Sequence, residues 1–189
     1  MIGIEAIKNY IPQDKQEEED KKYILEMAET HSNIFTRDCL EGHMTSTGFV
    51  VNQEHNKVLM AFHNIYQSYS WTGGHNDGDE NWAYVAEKEV LEETGLEEVK
   101  QISSIISLDD LPVEAHIKRG KPVIAHRHFN VTYVFEADEE AALCIKEDEN
   151  SALKWIPFDE IEKWVSEKEM IVVYKKIIER VKNLSHSLR

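Results

Sequence analysis

Apolar and polar positions along this chain alternate between helical and extended spacing. Tyr23, Ile24, Met27 and Ala28, with His31, recur at helical intervals and predict a helix over 14–31. The acids at its start, Glu17 to Glu19, suit the positive end of a helix dipole. The spacing then becomes extended. Residues 45–52 are β-branched and apolar, and 57–66 follow after Gln53-Glu54-His55-Asn56, which predicts a hairpin. Residues 70–74 lead into a loop holding Asn76-Asp77-Gly78, a strong turn signal. A helix is expected over 81–94, with Gly95 as its left-handed C-cap. Residues 99–107 read as a strand and 109–121 as a loop broken by Pro112 and Gly120.

The clearest strand is 126–137, where Phe129, Val131, Tyr133 and Phe135 share one face and His126, His128, Asn130 and Thr132 the other. After a polar loop over 146–150, a short strand is expected over 152–156. Asp159 is placed to cap a short helix over 160–165, and Ser166 with Glu169 forms a capping-box pattern that opens the last helix. Ile171, Tyr174, Ile178, Val181 and Leu184 give that helix its core face. Neither an internal repeat nor a low-complexity linker interrupts the order, so the expectation is one α/β domain over 1–189. A mixed sheet is flanked by helices, and about 1–36 form an N-terminal helical extension.

Composition narrows the chemistry. With 36 acidic against 21 basic residues the net charge is −15, which repels nucleic-acid backbones and argues against a long phosphate-tracking groove. A small phosphorylated substrate stays compatible, because a bound divalent cation reverses the local potential. The apolar content of 41% is too low for a membrane protein, and no run approaches the length of a span. Cys39 and Cys144 lie far apart without a metal spacing. A reduced, cytoplasmic home is the expectation.

The candidate chemistry lies between Gly74 and Leu96. Glu89, Glu92 and Glu93 stand at i, i+3 and i+4, which puts three carboxylates on one helix face. An acid-rich chain has many such faces that are merely solvated. Here, however, the acids follow a glycine pair, Gly73-Gly74, and Glu80 at fixed spacing. Mutual repulsion is relieved by a hard cation, and Mg²⁺ is commonly held by a few carboxylates together with substrate phosphates.

The block Gly74, Glu80, Glu89, Val90, Glu92, Glu93, Gly95 and Leu96 resembles the signature box of the Nudix hydrolases at every one of those positions. It departs at Lys88, where the family has Arg. Lysine keeps the charge but loses the planar fork that pairs with a carboxylate through two bonds. Residues 37–47 and 70–75 are similar to a bacterial branch of the family, and 155–161 to its late strand-to-helix junction.

The resemblance implies an α/β/α sandwich around a mixed sheet. It also implies Mg²⁺- or Mn²⁺-dependent hydrolysis of a diphosphate bond in a nucleotide or nucleoside diphosphate derivative. On that reading Glu89, Glu92 and Glu93 are metal ligands, Gly74 an auxiliary ligand through its carbonyl, and Glu80 and Lys88 supporting catalytic residues. Glu89 is the first candidate for general base and Glu149, in the acidic loop, the second.

On the substrate side, Gly73 lets the backbone approach a phosphate. His75 follows the glycine pair, and His126 with His128 lies on a polar strand face, so all three are candidate substrate contacts. Trp71 reads as a core residue before a base-stacking one. Two rivals keep the fold. One is a nucleotide-sensing domain without turnover, and the other an enzyme resembling isopentenyl diphosphate isomerase, which needs a cysteine beside a glutamate. A homodimer remains open.

Overall fold

The structure is a computed structural model that describes residues 3–118, 120–146 and 150–187. Its centre is the pairing of β1 (Gly42–Asn52) with β9 (His126–Ala137), parallel in unbroken register from Gly42 opposite Arg127 to Asn52 opposite Ala137. Every residue of β1 is buried. A strand covered on both faces needs apolar or hydrogen-bonded side chains throughout, and Phe49-Val50-Val51 and the Thr45-Ser46-Thr47 run supply them in turn.

From this pair the sheet runs β10 (Asn150–Pro157), β2 (Lys57–His63), β1, β9, β5 (Lys100–Gln101). Three further strands attach to it: β3 (Ser68–Ser70) to β2, β4 (Thr72–His75) to β1, and β6 (Ser107–Val113) to β9. A separate hairpin joins β7 (His116–Lys118) to β8 (Lys121–Val123).

Two apolar layers lie on the two faces of this sheet. One holds Met44, Val50, Leu59, Phe129, Val131, Tyr133 and Phe135 against α1 (Ile4–Asn9), α2 (Lys15–Thr30) and α3 (Trp82–Thr94). The other holds Phe49, Val51, Val58, Met60 and Val134 against α4 (Ile161–Trp164) and α5 (Lys168–Ser187), which contributes Tyr174, Ile177, Ile178 and Val181. The result is the expected α/β/α sandwich.

The local signals around α3 hold to the residue. Asn81 caps its start, accepting from the Tyr84 N–H, and Gly95 ends it with φ of 70°. A Cβ on Gly95 would stand 2.5 Å from the Cβ of Cys144. Gly95→Ala is therefore expected to cost about 2 kcal/mol or more, since left-handed backbone costs an L-residue roughly 1–2 kcal/mol before any clash. A denaturant titration checks it.

Three expectations are corrected. The stretch 99–107 is not one strand: β5 is two residues long, and the real strand is β6, inside the segment read as a loop. Pro112 misled that reading. β6 pairs with β9 on one side, and a proline is tolerated where no neighbour needs its N–H. Second, Ser166 does not open the last helix; its hydroxyl donates to the Gln67 carbonyl, and the helix begins at Lys168. Third, the buried stripe of α2 is Glu17, Asp20, Ile24 and Met27, so two acids occupy core-facing positions while Tyr23 stays exposed.

Those acids tie the extension down. Glu17 is fully buried and accepts from Tyr10 Oη at 2.7 Å, from the Gln13 N–H at 2.9 Å and from Arg180 Nη1 at 2.5 Å, with Lys176 Nζ 3.3 Å away. Arg180 also donates to Asp14 and to the Ile106 carbonyl. Burial pushes the Glu17 carboxyl up, but Arg180, the Gln13 N–H and Tyr10 overcome it and hold it at about 2. Asp20, which accepts from the Asp110 N–H, is pushed up by burial.

Candidate active site

β4 lies antiparallel to β1 with Gly73 opposite Thr47, Gly74 opposite Ser46 and His75 opposite Thr45. α3 crosses directly above. It comes close because Gly48 on β1 has no side chain: a Cβ there would fall 2.2 Å from Val90 Cγ2. The glutamate face of the helix thereby lands on the glycine pair. Glu93, 8% exposed, accepts the Gly73 N–H through Oε1 at 3.0 Å and the Asn150 side-chain amide through Oε2 at 2.8 Å. One turn back, the Glu89 carboxyl lies against Gly74, where a Cβ would be 2.5 Å from Glu89 Cδ.

Glu92 points outward, with Lys88 Nζ at 3.7 Å and Lys146 Nζ at 3.5 Å. Lys88 thus reaches along its own helix to Glu92. Glu80 stands apart from this group. It is exposed, its carbonyl accepts the Gly3 N–H at 2.9 Å, and it lines a cavity of about 470 Å³ beside Tyr10, Trp82 and Tyr133.

The glycines respond differently to substitution. A Cβ on Gly74 meets the mobile end of Glu89, whereas one on Gly73 meets the Ser46 carbonyl at 2.7 Å and Thr47 Cα at 2.9 Å. Gly74→Ala is expected to leave the melting temperature nearly unchanged while displacing Glu89 and lowering turnover. Gly73→Ala should lower the melting temperature, because backbone has to move. Thermal melts and initial rates on both variants check this.

At the far end of β4 four histidine rings meet. The ring centres of His43 and His75, His43 and His126, His75 and His128, and His126 and His128 are 4.9–5.0 Å apart, and those of His43 and His128 are 5.3 Å apart. His126 Nε2 is 3.1 Å from His128 Nε2. The register explains the gathering, since His43 of β1 lies opposite His128 of β9 and His75 sits one strand over. Burial holds His43 below its ordinary pKa, with His126 and Arg37 acting the same way. The turn before α3 is pinned by Arg37, which donates through Nε to Asp77 at 2.8 Å and holds that carboxyl below its usual range.

Of the residues singled out in the sequence, Gly73, Gly74, Glu89 and Glu93 come together, with Glu92 on the outer side of the same helix. His75, His126 and His128 form a second group one residue along β4. Glu149 lies outside the described residues. Trp71 faces the opposite layer, edge-on to Tyr174 at 5.2 Å. Neither cysteine sits beside the glycine pair: Cys39 is buried near His43, and Cys144 packs on Gly95.

Sequence reading missed four residues. His43 fell just before the expected strand start; continuing the strand back to Gly42 would have placed it. Lys146 and Asn150 reach the glutamates, Asn150 as the first residue of β10, from a stretch with no motif of its own. Asn130, seen only as one of a polar face, is buried and accepts from both Thr45 and Thr47 hydroxyls at 2.9 and 2.7 Å.

The profile described as NUDIX domain matches residues 42–180. A search of curated proteins by sequence returns no match. Among solved structures, a Caenorhabditis elegans Ap4A hydrolase is similar at 14% identity and a TM-score of 0.55, over 74% of this chain and 98% of its own. The Escherichia coli dihydroneopterin triphosphate pyrophosphohydrolase is similar at 13% identity and 0.56, over 74% and 95%. The NUDIX domain of Shewanella oneidensis NrtR, complexed with ADP-ribose, is similar at 16% and 0.53, over 73% and 87%.

Proposed function

This chain belongs to the Nudix hydrolase family, and on that premise we propose that it cleaves a diphosphate bond in a small nucleotide or nucleoside diphosphate derivative by water attack on phosphorus. The observation that carries the reading is the closure of Glu89 and Glu93 onto the Gly73-Gly74 pair of β4.

The donor set suits Mg²⁺ or Mn²⁺. Glu89, Glu92, Glu93 and the Gly74 carbonyl are hard oxygen donors, and the space above Gly74 that a Cβ would fill is taken by the Glu89 carboxyl. Divalent cations held there would neutralise phosphoryl oxygens and favour hydroxide formation from water near neutral pH. The chain's own residues do the rest. Gly73 and Gly74 let the backbone approach the substrate. Glu93 holds this segment of β4 through the Gly73 N–H. Glu89 takes the proton of the attacking water as its oxygen bonds to phosphorus and the bridging P–O bond breaks. Lys88 and Lys146 balance the charge of Glu92. Glu80 supports the loop before the helix from its outer side. His75, His126 and His128 wall the cleft where the substrate enters.

Hydrolysis assayed across oxidised nucleoside triphosphates, ADP-ribose, dinucleoside polyphosphates and sugar nucleotides, with Mg²⁺ or Mn²⁺ and with EDTA, tests the reading. Product from at least one class, lost with EDTA, supports it. Calorimetric binding of ADP-ribose without turnover would instead favour a nucleotide-sensing role. That outcome has weight because a domain of the same fold is known in complex with ADP-ribose.

A further inference from the structure

Three of the four clustered histidines can each bring a ring nitrogen to one place. His43, His75 and His128 do so with their ligand atoms all within 4.8 Å of one another, and among the described residues no other group of histidines, cysteines and acids is gathered this way. They come from three neighbouring strands, β1, β4 and β9, whose pairing fixes their relative positions.

His43 supplies the second observation. Its residue is 5% exposed, and its Nε2 is buried without a hydrogen-bond partner. Its Nδ1 lies 3.1 Å from the Cys39 carbonyl. A carbonyl can only accept, so Nδ1 carries the proton and Nε2 presents a lone pair. An imidazole oriented by a backbone carbonyl through one nitrogen, with the other bare, is the arrangement found around metal-bound histidines. His126 repeats half of this pattern. Its Nδ1 donates to the Ile124 carbonyl at 2.8 Å, and its Nε2 lies 3.1 Å from His128 Nε2.

We propose that His43, His75 and His128 form a binding site for a borderline transition-metal ion such as Zn²⁺, separate from the glutamates. Imidazole nitrogens favour zinc, copper, nickel or iron over magnesium. Zinc–nitrogen bonds of about 2.0–2.1 Å put ligand atoms about 3.3 Å apart, so each side chain needs to move on the order of 1 Å. Three protein nitrogens leave one tetrahedral position open beside His126. Such an ion cross-links the three strands at the end of β4 that follows the glycine pair.

The test uses the full chain, stripped with chelator and dialysed into excess Mg²⁺ so that the carboxylates are occupied. Calorimetry should show one equivalent of Zn²⁺ bound, and Co²⁺ should give the visible absorption of low-coordinate nitrogen ligation. Zinc should also raise the melting temperature. His75→Gln and His128→Gln should each weaken zinc binding by more than about 100-fold, beyond the 10–100-fold typical of outer-shell losses. Glu92→Gln should bind zinc as the wild type does, which separates this site from the hydrolase reading. Absent zinc binding in Mg²⁺ overturns the proposal. So does binding that Glu92→Gln removes while His75→Gln keeps it.

Discussion

Glu89→Gln is expected to lower kcat/KM by roughly 10²–10⁴-fold, the usual contribution of a positioned general base, with little change in melting temperature. The substitution keeps the shape of the side chain and removes its ability to take a proton. Glu93 accepts from two donors, the Gly73 N–H and the Asn150 amide. A glutamine there offers one acceptor and turns an NH₂ group toward a donor, and leaving a buried polar group unsatisfied costs about 1–3 kcal/mol. Loss of activity in Glu93→Gln would thus combine chemistry with damage to β4. Steady-state rates and thermal melts measured together separate the two. Wild-type activity in Glu89→Gln would move the base elsewhere, with Glu149 next in line.

Arg180→Met is expected to destabilise the fold by about 3–5 kcal/mol, the typical effect of removing one partner from a buried ion pair. Glu17 would then sit fully buried with Lys176 at 3.3 Å as its nearby charge. For a domain of this size that is a fall of roughly 6–20 °C in melting temperature. Adding Glu17→Gln should recover part of the loss, because it removes the uncompensated charge. The pair also predicts a pH dependence. Glu17 is held at about 2 against an ordinary 4.5, so its ionised form favours the folded state. That contribution, about 3 kcal/mol, is complete above pH 4.5 and is lost as the pH falls toward 2. Burial pushes Asp20 and Asp109 in the opposite direction. The stability difference between wild type and Glu17→Gln, followed from pH 6 to 2.5, therefore isolates the effect; a constant difference would refute it.

Both predictions concern residues whose legibility in the sequence differed greatly. Glu89, Glu92 and Glu93 were readable because their relation is local: one helix sets the spacing of all three, and Asn81 and Gly95 mark its ends. The strand over 126–137 was readable for the same reason, its alternation being a property of ten consecutive residues. Glu17 was readable as an acid near a helix start, but its burial was not, since its partner Arg180 lies 163 residues away. β6 was lost to a proline whose effect depends on whether a neighbouring strand needs its N–H.

The sequence alone determined where α3 starts and stops, the alternating faces of the strand over 126–137, and that a carboxylate face follows a glycine pair, because short-range backbone geometry dictates each of these. Tertiary structure decided what those faces meet. The parallel register of β1 and β9 brings His43 to His128, and the bare backbone at Gly48 lets α3 settle onto Gly73 and Gly74. Registry and approach distance are properties of pairs of elements. They emerge only when burial of apolar surface on both sides of the sheet leaves one arrangement in which the strands and helices fit.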